Sequence, residues 1–476
     1  MAHKSRLTPT ANWLETRRTP LCAAWLLLCL VLGGASNAGS LANLVLQFGA
    51  AGIIAWHILR GKMNSAGRDD VILLTLLGAG VAWIVLTLIP LPPALWIHLP
   101  GRGFVAEGYR LLGLDLPWLP ISLTDDRTVR SALSLLVPVA TYLVVRPLAI
   151  RQRAWLAVVV AGFAVLSTAL GMAQLTGGEN SPLRIYSITN RSDPVGLFAN
   201  ANHLATMLLV MMPLIAAALP IISDRPLRGG KRTARWTGSR LAWSPLAMLC
   251  VALFLSGLAL IGSNAGLMLA VPSLAGALFL GPLQPMLAKP FVRRTLGLGV
   301  AAVMALAVAM IFTGQFQQKI GVSATSRQMV TGTTLHTAGE YMPVGTGLGS
   351  FSAIYLKHSG GEKSAREWMN HAHDDLAEVT LELGAPGVIL MALFALWLLG
   401  RAWRVWLRDP RAEGLPLIRA ASLGAVIVGL HSMADYPLRS AAIAALFAML
   451  LALIVDRPTD QPADPSRADP FLGGPL

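Results

Sequence analysis

Charge is what this sequence has least of. Asp, Glu, Lys and Arg make up 13% of its 476 residues, about half their usual share in soluble domains. Acidic side chains are the scarcer sign, 24 against 38 basic ones, for a formal net charge of +14. Cysteine is nearly absent. Cys22, Cys29 and Cys250 all fall inside apolar runs, which excludes a disulfide framework and a thiolate metal site and leaves them as packing residues. Apolar residues fill the space: 54% of the chain, with a mean hydropathy of +0.60. Length alone would suggest about three soluble domains. Runs of ~20 residues without charge overrule that, because each is long enough to cross a bilayer. The composition predicts an all-α polytopic membrane protein.

Twelve spans are expected, near 21–36, 41–59, 71–91, 130–149, 154–175, 197–222, 243–261, 266–287, 295–313, 385–403, 417–434 and 441–455. Lys4, Arg6, Arg17 and Arg18 precede the first, as they would in a signal peptide. A second apolar run follows at once, so the pair reads as a retained helical hairpin. Basic residues concentrate on the cytoplasmic side of membranes. With the N-terminus inside, 25 of the 38 fall on cytoplasmic segments and 12 on the opposite side, with Arg419 inside a span. The largest basic cluster, Arg225 to Arg240, lies between two spans, so orientation explains the positive charge and no nucleic-acid partner is needed. The expected organisation is residues 1–313 with nine spans, 314–383 as a large helical external loop, 384–456 with three spans, and 457–476 as a disordered cytoplasmic tail.

Chemistry-bearing residues gather in four places. The densest is Met369-Asn370-His371-Ala372-His373-Asp374-Asp375-Leu376-Ala377-Glu378, continuing through Glu382 to Gly384. Another is Asn190-Arg191-Ser192-Asp193, leading to Asn200-Ala201-Asn202-His203, with Arg184 just before it. A third is Arg327 with Pro343-Val344-Gly345-Thr346-Gly347-Leu348-Gly349. The last is His431-Ser432-Met433-Ala434-Asp435-Tyr436-Pro437-Leu438-Arg439. All lie in, or border, the long external loops, where function tends to reside.

In this order, and within this topology, the four motifs resemble the superfamily of O-antigen ligases and O-antigen (polysaccharide) polymerases, over the whole chain. The family's pattern is a His, then Asn, Ser or Gln, nine residues, and Gly; His373 and Gly384 have that spacing. Asp374 departs from the pattern at its second position, and Asn264 stands where many members carry arginine. The resemblance implies glycan transfer from an undecaprenyl-diphosphate-linked donor to a sugar hydroxyl, on a lipid-linked glycan or a lipid A core. Transfer would take place at the periplasmic face of a bacterial inner membrane, with membrane lipids as the other partners and without metal or other cofactor. The leaving diphosphate needs cations, and guanidinium groups hold one in bidentate fashion. Arg191, Arg327, Arg184 and Arg439 are the candidates. The acceptor hydroxyl needs a base, and histidine, with an unperturbed pKa of ~6.5, fits. Polymerase and ligase differ only in acceptor and stay open here, with polymerase preferred.

If 371–384 is helical, His371, Asp375, Glu378 and Glu382 share one face and His373 lies opposite, toward packed helices. That geometry and the motif spacing together favour His373 over His371 as base. Asp374, Asp375, Glu378, Asn200, Asn202, His203, His431 and Asp435 are supporting candidates. Each has a plainer alternative. His371-Ala372-His373-Asp374-Asp375 also fits a His-x-His-x-Asp metal pattern; an acidic stripe is usually solvated. Asn200 with its neighbours suits a helix cap, and His431 and Asp435 have the spacing to pair with each other. From another class, a transporter or lipid-glycan flippase also suits twelve spans. No half-to-half repeat is visible, though, and the charge sits at the outer face rather than at mid-membrane.

Overall fold

In order along the chain the helices are α1 (Pro9–Leu32), α2 (Leu41–Leu59), α3 (Arg68–Leu88), α4 (Pro93–Trp96), α5 (Gly103–Leu111), α6 (Asp125–Ser134), α7 (Leu136–Val145), α8 (Ile150–Thr176), α9 (Ala201–Ser223), α10 (Ser244–Ile261), α11 (Asn264–Leu280), α12 (Gly314–Tyr341), α13 (Phe351–His358), α14 (Asp375–Trp406), α15 (Leu415–His431) and α16 (Ala441–Ile454). They come from a computed structural model that describes residues 9–35, 41–60, 67–223, 244–281, 314–358, 369–409, 412 and 414–455. No strand forms among the described residues; Leu91 and Leu119 make an isolated antiparallel bridge.

Among the described residues, six helices are long and apolar enough to cross a membrane: Leu41–Leu59, Arg68–Leu88, Asp125–Val145, Ile150–Thr176, Ala201–Ser223 and Asp375–Trp406. Four more, Pro245–Ile261, Asn264–Leu280, Leu415–His431 and Ala441–Ile454, are apolar but shorter. Helices occur over each expected span except the ninth, near 295–313, which lies outside the described residues, as do the basic cluster Arg225 to Arg240 and the tail from 457.

α9 is apolar all round, and its residues from Ala201 to Pro220 are nearly all buried. A helix without a polar face has to sit inside a bundle. α8, α10, α11 and α15 surround it. Small residues let the helices approach closely, as they do in membrane bundles. Ala205, Ala216, Ala217 and Ala218 on α9, and Ala420, Ala421 and Ala425 on α15, are buried accordingly.

Two buried carboxylates at the start of α3 are paired with arginines, as buried charge requires. Asp69 at the start of α3 meets Arg401 at 3.4 Å and Arg404 at 3.1 Å. Beside it Asp70 takes Arg146 at 2.7 Å and the Tyr142 hydroxyl. These pins fix one end of α3 to α14 and α7. At the other end the Trp83 indole donates to the Leu383 carbonyl at 3.0 Å. Beside that contact a separate apolar core joins α12, α13, the stretch before α14 and the start of α14: Val330, Tyr341, Phe351, Ile354, Ala372 and Leu381.

Candidate functional site

The helix that carries the acidic residues begins at Asp375, not at His371. Asp374 is its N-cap, and its Oδ1 accepts from the Leu376 and Ala377 amides at 2.9 and 3.1 Å. Capping satisfies two of the otherwise orphaned first amides. The helical face expected to hold His371 with the carboxylates therefore does not exist, and neither does the opposite face expected for His373. Both histidines precede the helix, and His373 turns the chain with φ 55°, a conformation rare for residues other than glycine.

That turn produces two histidine–carboxylate pairs. His373 Nδ1 lies 2.9 Å from Asp435 Oδ1. His371 Nδ1 lies 2.9 Å from Glu378 Oε1, while Glu378 Oε2 accepts the Ala372 amide at 2.9 Å. Between the rings stands Tyr436, with centroids 4.3 Å from His371, 5.0 Å from His373 and 5.3 Å from His203. The His373 side chain keeps 26% of its surface exposed, against 16% for His371. His373 Nε2 has no hydrogen-bond partner among the described residues.

Asp435 is the hub of the first pair. Its other oxygen accepts from Asn200 Nδ2 at 3.1 Å. Asn200 Oδ1 caps the Asn202 amide at 2.8 Å, so the capping role and the site role fall on one residue. Burial alone would push the Asp435 carboxyl up; the His373 hydrogen bond, with the His203 and Arg327 charges, outweighs it and holds Asp435 well below the usual range. His431 does not pair with Asp435. Its Nδ1 meets Thr206 Oγ1 at 2.8 Å, because the helix ends at His431 and the turn carries Asp435 away toward His373.

The second pair belongs to a buried network. Arg439 lies 3.3 Å from Asp375, 3.3 Å from Glu378 and 3.0 Å from Glu382. All three carboxylates are buried, so the acidic stripe faces a guanidinium rather than solvent. Burial alone would lower the Arg439 pKa, but Glu378, Glu382 and Asp375 raise it. Burial also works against a charged His371, yet the charge and hydrogen bond of Glu378 lift its pKa above the ordinary value. Among the described residues no three His, Cys, Asp or Glu side chains are grouped so as to hold a metal ion.

The candidate arginines part company. Arg439 is engaged by carboxylates. Arg184 braces its own loop, donating to the carbonyls of Asn190 at 2.7 Å and Asp193 at 3.0 Å and to that of Arg191. Arg191 is exposed and, among the described residues, its side chain reaches only Asn180 Oδ1, at 3.2 Å. Arg327 donates to Ala434 O at 3.2 Å, beside Asp435.

Gly384 breaks α14 with φ 61°, ψ −151°, backbone that only glycine adopts readily. A Cβ there would sit 2.2 Å from Pro343 O. Around the break Thr346 N donates to Leu381 O at 3.0 Å, Gly347 N to Glu382 O at 2.8 Å and Ala385 N to Pro343 O at 2.8 Å. The glycine-rich stretch thus caps the first half of α14 from outside.

Compared with protein-family models and with curated proteins, the chain finds no match. Any functional reading therefore rests on the sequence motifs and the geometry of the site.

Sequence reasoning missed four residues. Tyr436 and Glu382 lay inside quoted motifs and went unassigned. Arg127 and Arg130 of α6 line a cavity of about 960 Å³ together with His371, Asp375 and Glu378. Two arginines three apart at the start of an apolar run were a legible signal. The cavity continues down α14 past Met391 and Phe394 to Leu399. His373 is not part of its lining.

Proposed function

We propose that this protein transfers a glycan from a polyprenyl-diphosphate donor to a sugar hydroxyl, at the periplasmic face of a bacterial inner membrane. The observation that carries the reading is the cavity. Its floor is apolar along α14 from Val388 to Leu399, and its head carries Arg127, Arg130, His371 and Glu378. Its apolar floor, from Val388 to Leu399 on the part of α14 beyond the Gly384 break, runs for roughly 17 Å at 1.5 Å per residue, about half of a ~30 Å hydrocarbon core. A long apolar tail with a charged head matches that shape. The full twelve-span arrangement, with both termini in the cytoplasm and residues 314–383 outside, belongs to the same proposal and rests on the distribution of basic residues.

The diphosphate is met by Arg127 and Arg130, and Arg327 stands beside Asp435; Arg439 also lines the cavity but is held by its three carboxylates, and Arg184 stays with its own loop. His373 is the general base. Asp435 orients its ring and stabilises the imidazolium, as a carboxylate does for a catalytic histidine, leaving Nε2 to take the acceptor proton. The acceptor oxygen then attacks the anomeric carbon, the bond to the diphosphate oxygen breaks, and the lipid diphosphate departs. A second assignment has one observation in its favour. His371 with Glu378 is also a base–carboxylate pair and lines the cavity, which His373 does not.

The test is transfer by purified protein in a bilayer with a defined lipid-diphosphate donor. Arg127→Ala and Arg130→Ala should weaken donor binding about tenfold or more, and lysine should restore it only in part. Unchanged donor affinity in both would remove the cavity from the donor's path.

A further inference from the structure

The hairpin of residues 92–119 buries and exposes its apolar residues the wrong way round for a soluble loop. It has a small core of its own. Trp96 is only 1% exposed and its indole donates to Pro117 O at 2.8 Å, while Ala106 packs at 4% exposure. The bridge between Leu91 and Leu119, with hydrogen bonds of 2.9 and 3.1 Å, closes its base. Yet larger apolar side chains stay outside: Leu95, Phe104, Leu112 and Leu114, with Leu111 at 79% and Trp118 at 65% exposed. Such a cluster on a folded surface marks a contact.

Its position says what the contact is. α3 ends at Leu88 and the chain turns at Pro92 and Pro93. Val81, Val85 and Leu86 on α3, and Ile89 just past its end, are exposed in the same way, so the cluster continues an exposed apolar surface beyond the end of a candidate span. The exposed charges are few and mixed, Glu107 and Arg110 paired at 3.7 Å and Asp115, so acidic headgroups gain no hold. Trp118 has the amphipathic ring enriched at membrane interfaces.

We propose that the hairpin of residues 92–119 is an interfacial anchor, embedded at the acyl–headgroup boundary of the leaflet on the side of the histidines. Its partner is the lipid surface, engaged through apolar contact. The anchor is tied to the site segment. Arg102 Nη2 donates to Gly345 O at 3.1 Å, Leu123 N to Thr346 O at 2.8 Å, and Lys357 Nζ lies 2.9 Å from the Phe104 ring centroid. Its depth in the leaflet therefore sets the height of the Gly345–Gly349 stretch above the bilayer. This inference stands on exposure and position and does not depend on the transferase reading.

The experiment uses the full-length protein in nanodiscs of zwitterionic lipid, comparing wild type with Trp118→Phe so that the difference spectrum isolates Trp118. The expected result is strong quenching of that signal by lipids brominated near the headgroup, little by lipids brominated at the chain end, and little by aqueous iodide. A Trp118 signal quenched by iodide but not by lipid overturns the proposal, as does one shielded from both, which would mean a protein partner or a second copy covers the face. As a check independent of tryptophan, a spin label at Leu112→Cys should be more accessible to oxygen than to a water-soluble nickel complex. The reverse order overturns it too.

Discussion

Arg439 illustrates how a residue's setting overrules its type. Read alone, a basic residue after the last polar motif suits a diphosphate, but three buried carboxylates already surround it. Removing one partner of a buried ion pair leaves uncompensated charge, typically worth ~3–5 kcal/mol. Arg439→Gln should therefore lose stability on that scale in thermal unfolding, and adding Glu382→Gln should recover part of it. A stable Arg439→Gln protein with weakened donor binding would return Arg439 to the donor site. His371 yields a pH prediction at the same scale. Its folded-state pKa is raised by Glu378 above an unfolded value near ~6.5. The stability from this pair is thus complete below about pH 6.5 and is lost as pH rises through the raised folded value. The stability difference between wild type and His371→Gln should shrink with increasing pH; growth of that difference would contradict the pairing.

Among the elements, α14 carries most of the account. Its apolar half was legible because a charge-free run of that length has few other fates. Its start was not, since helical spacing of His371, Asp375, Glu378 and Glu382 reads well until Asp374 is seen to cap at the following amides. Only tertiary contacts decide between cap and continuation, and here Tyr436 and Asp435, more than sixty residues away, draw the histidines out of the helix. The pairing of Asn200 with Asp435 was hidden for the same reason: 235 residues separate them, and local pattern says nothing about that. The Gly384 break was half visible as a spacing and became physical once Pro343 and Gly345 were found against it. Gly384→Ala would need φ 61° with a Cβ 2.2 Å from a carbonyl oxygen. It should cost at least ~1–3 kcal/mol of backbone strain, or displace residues 343–347, seen as lower thermal stability and protease sensitivity in that stretch. An alanine variant of unchanged stability would mean the break is not required.

Over the whole molecule, a bundle packs around α9, paired charges at one end of α3 and the Leu383 contact at the other join α3 to α14, and a cavity runs from apolar depth to a polar head. Composition announced the bundle; no sequence pattern announced the cavity, because its walls come from α2, α6, α14, α15 and α16, far apart in the chain. The central claim is that the His373–Asp435 pair, which stands outside the cavity's lining, performs base catalysis of glycan transfer. The most direct measurement is single-turnover transfer and donor affinity for wild type and His373→Gln, both shown to be folded and inserted. The account predicts a turnover lowered by about 10²–10⁴-fold, the usual worth of a positioned base, with donor affinity unchanged. Transfer by His373→Gln at close to the wild-type rate would contradict it.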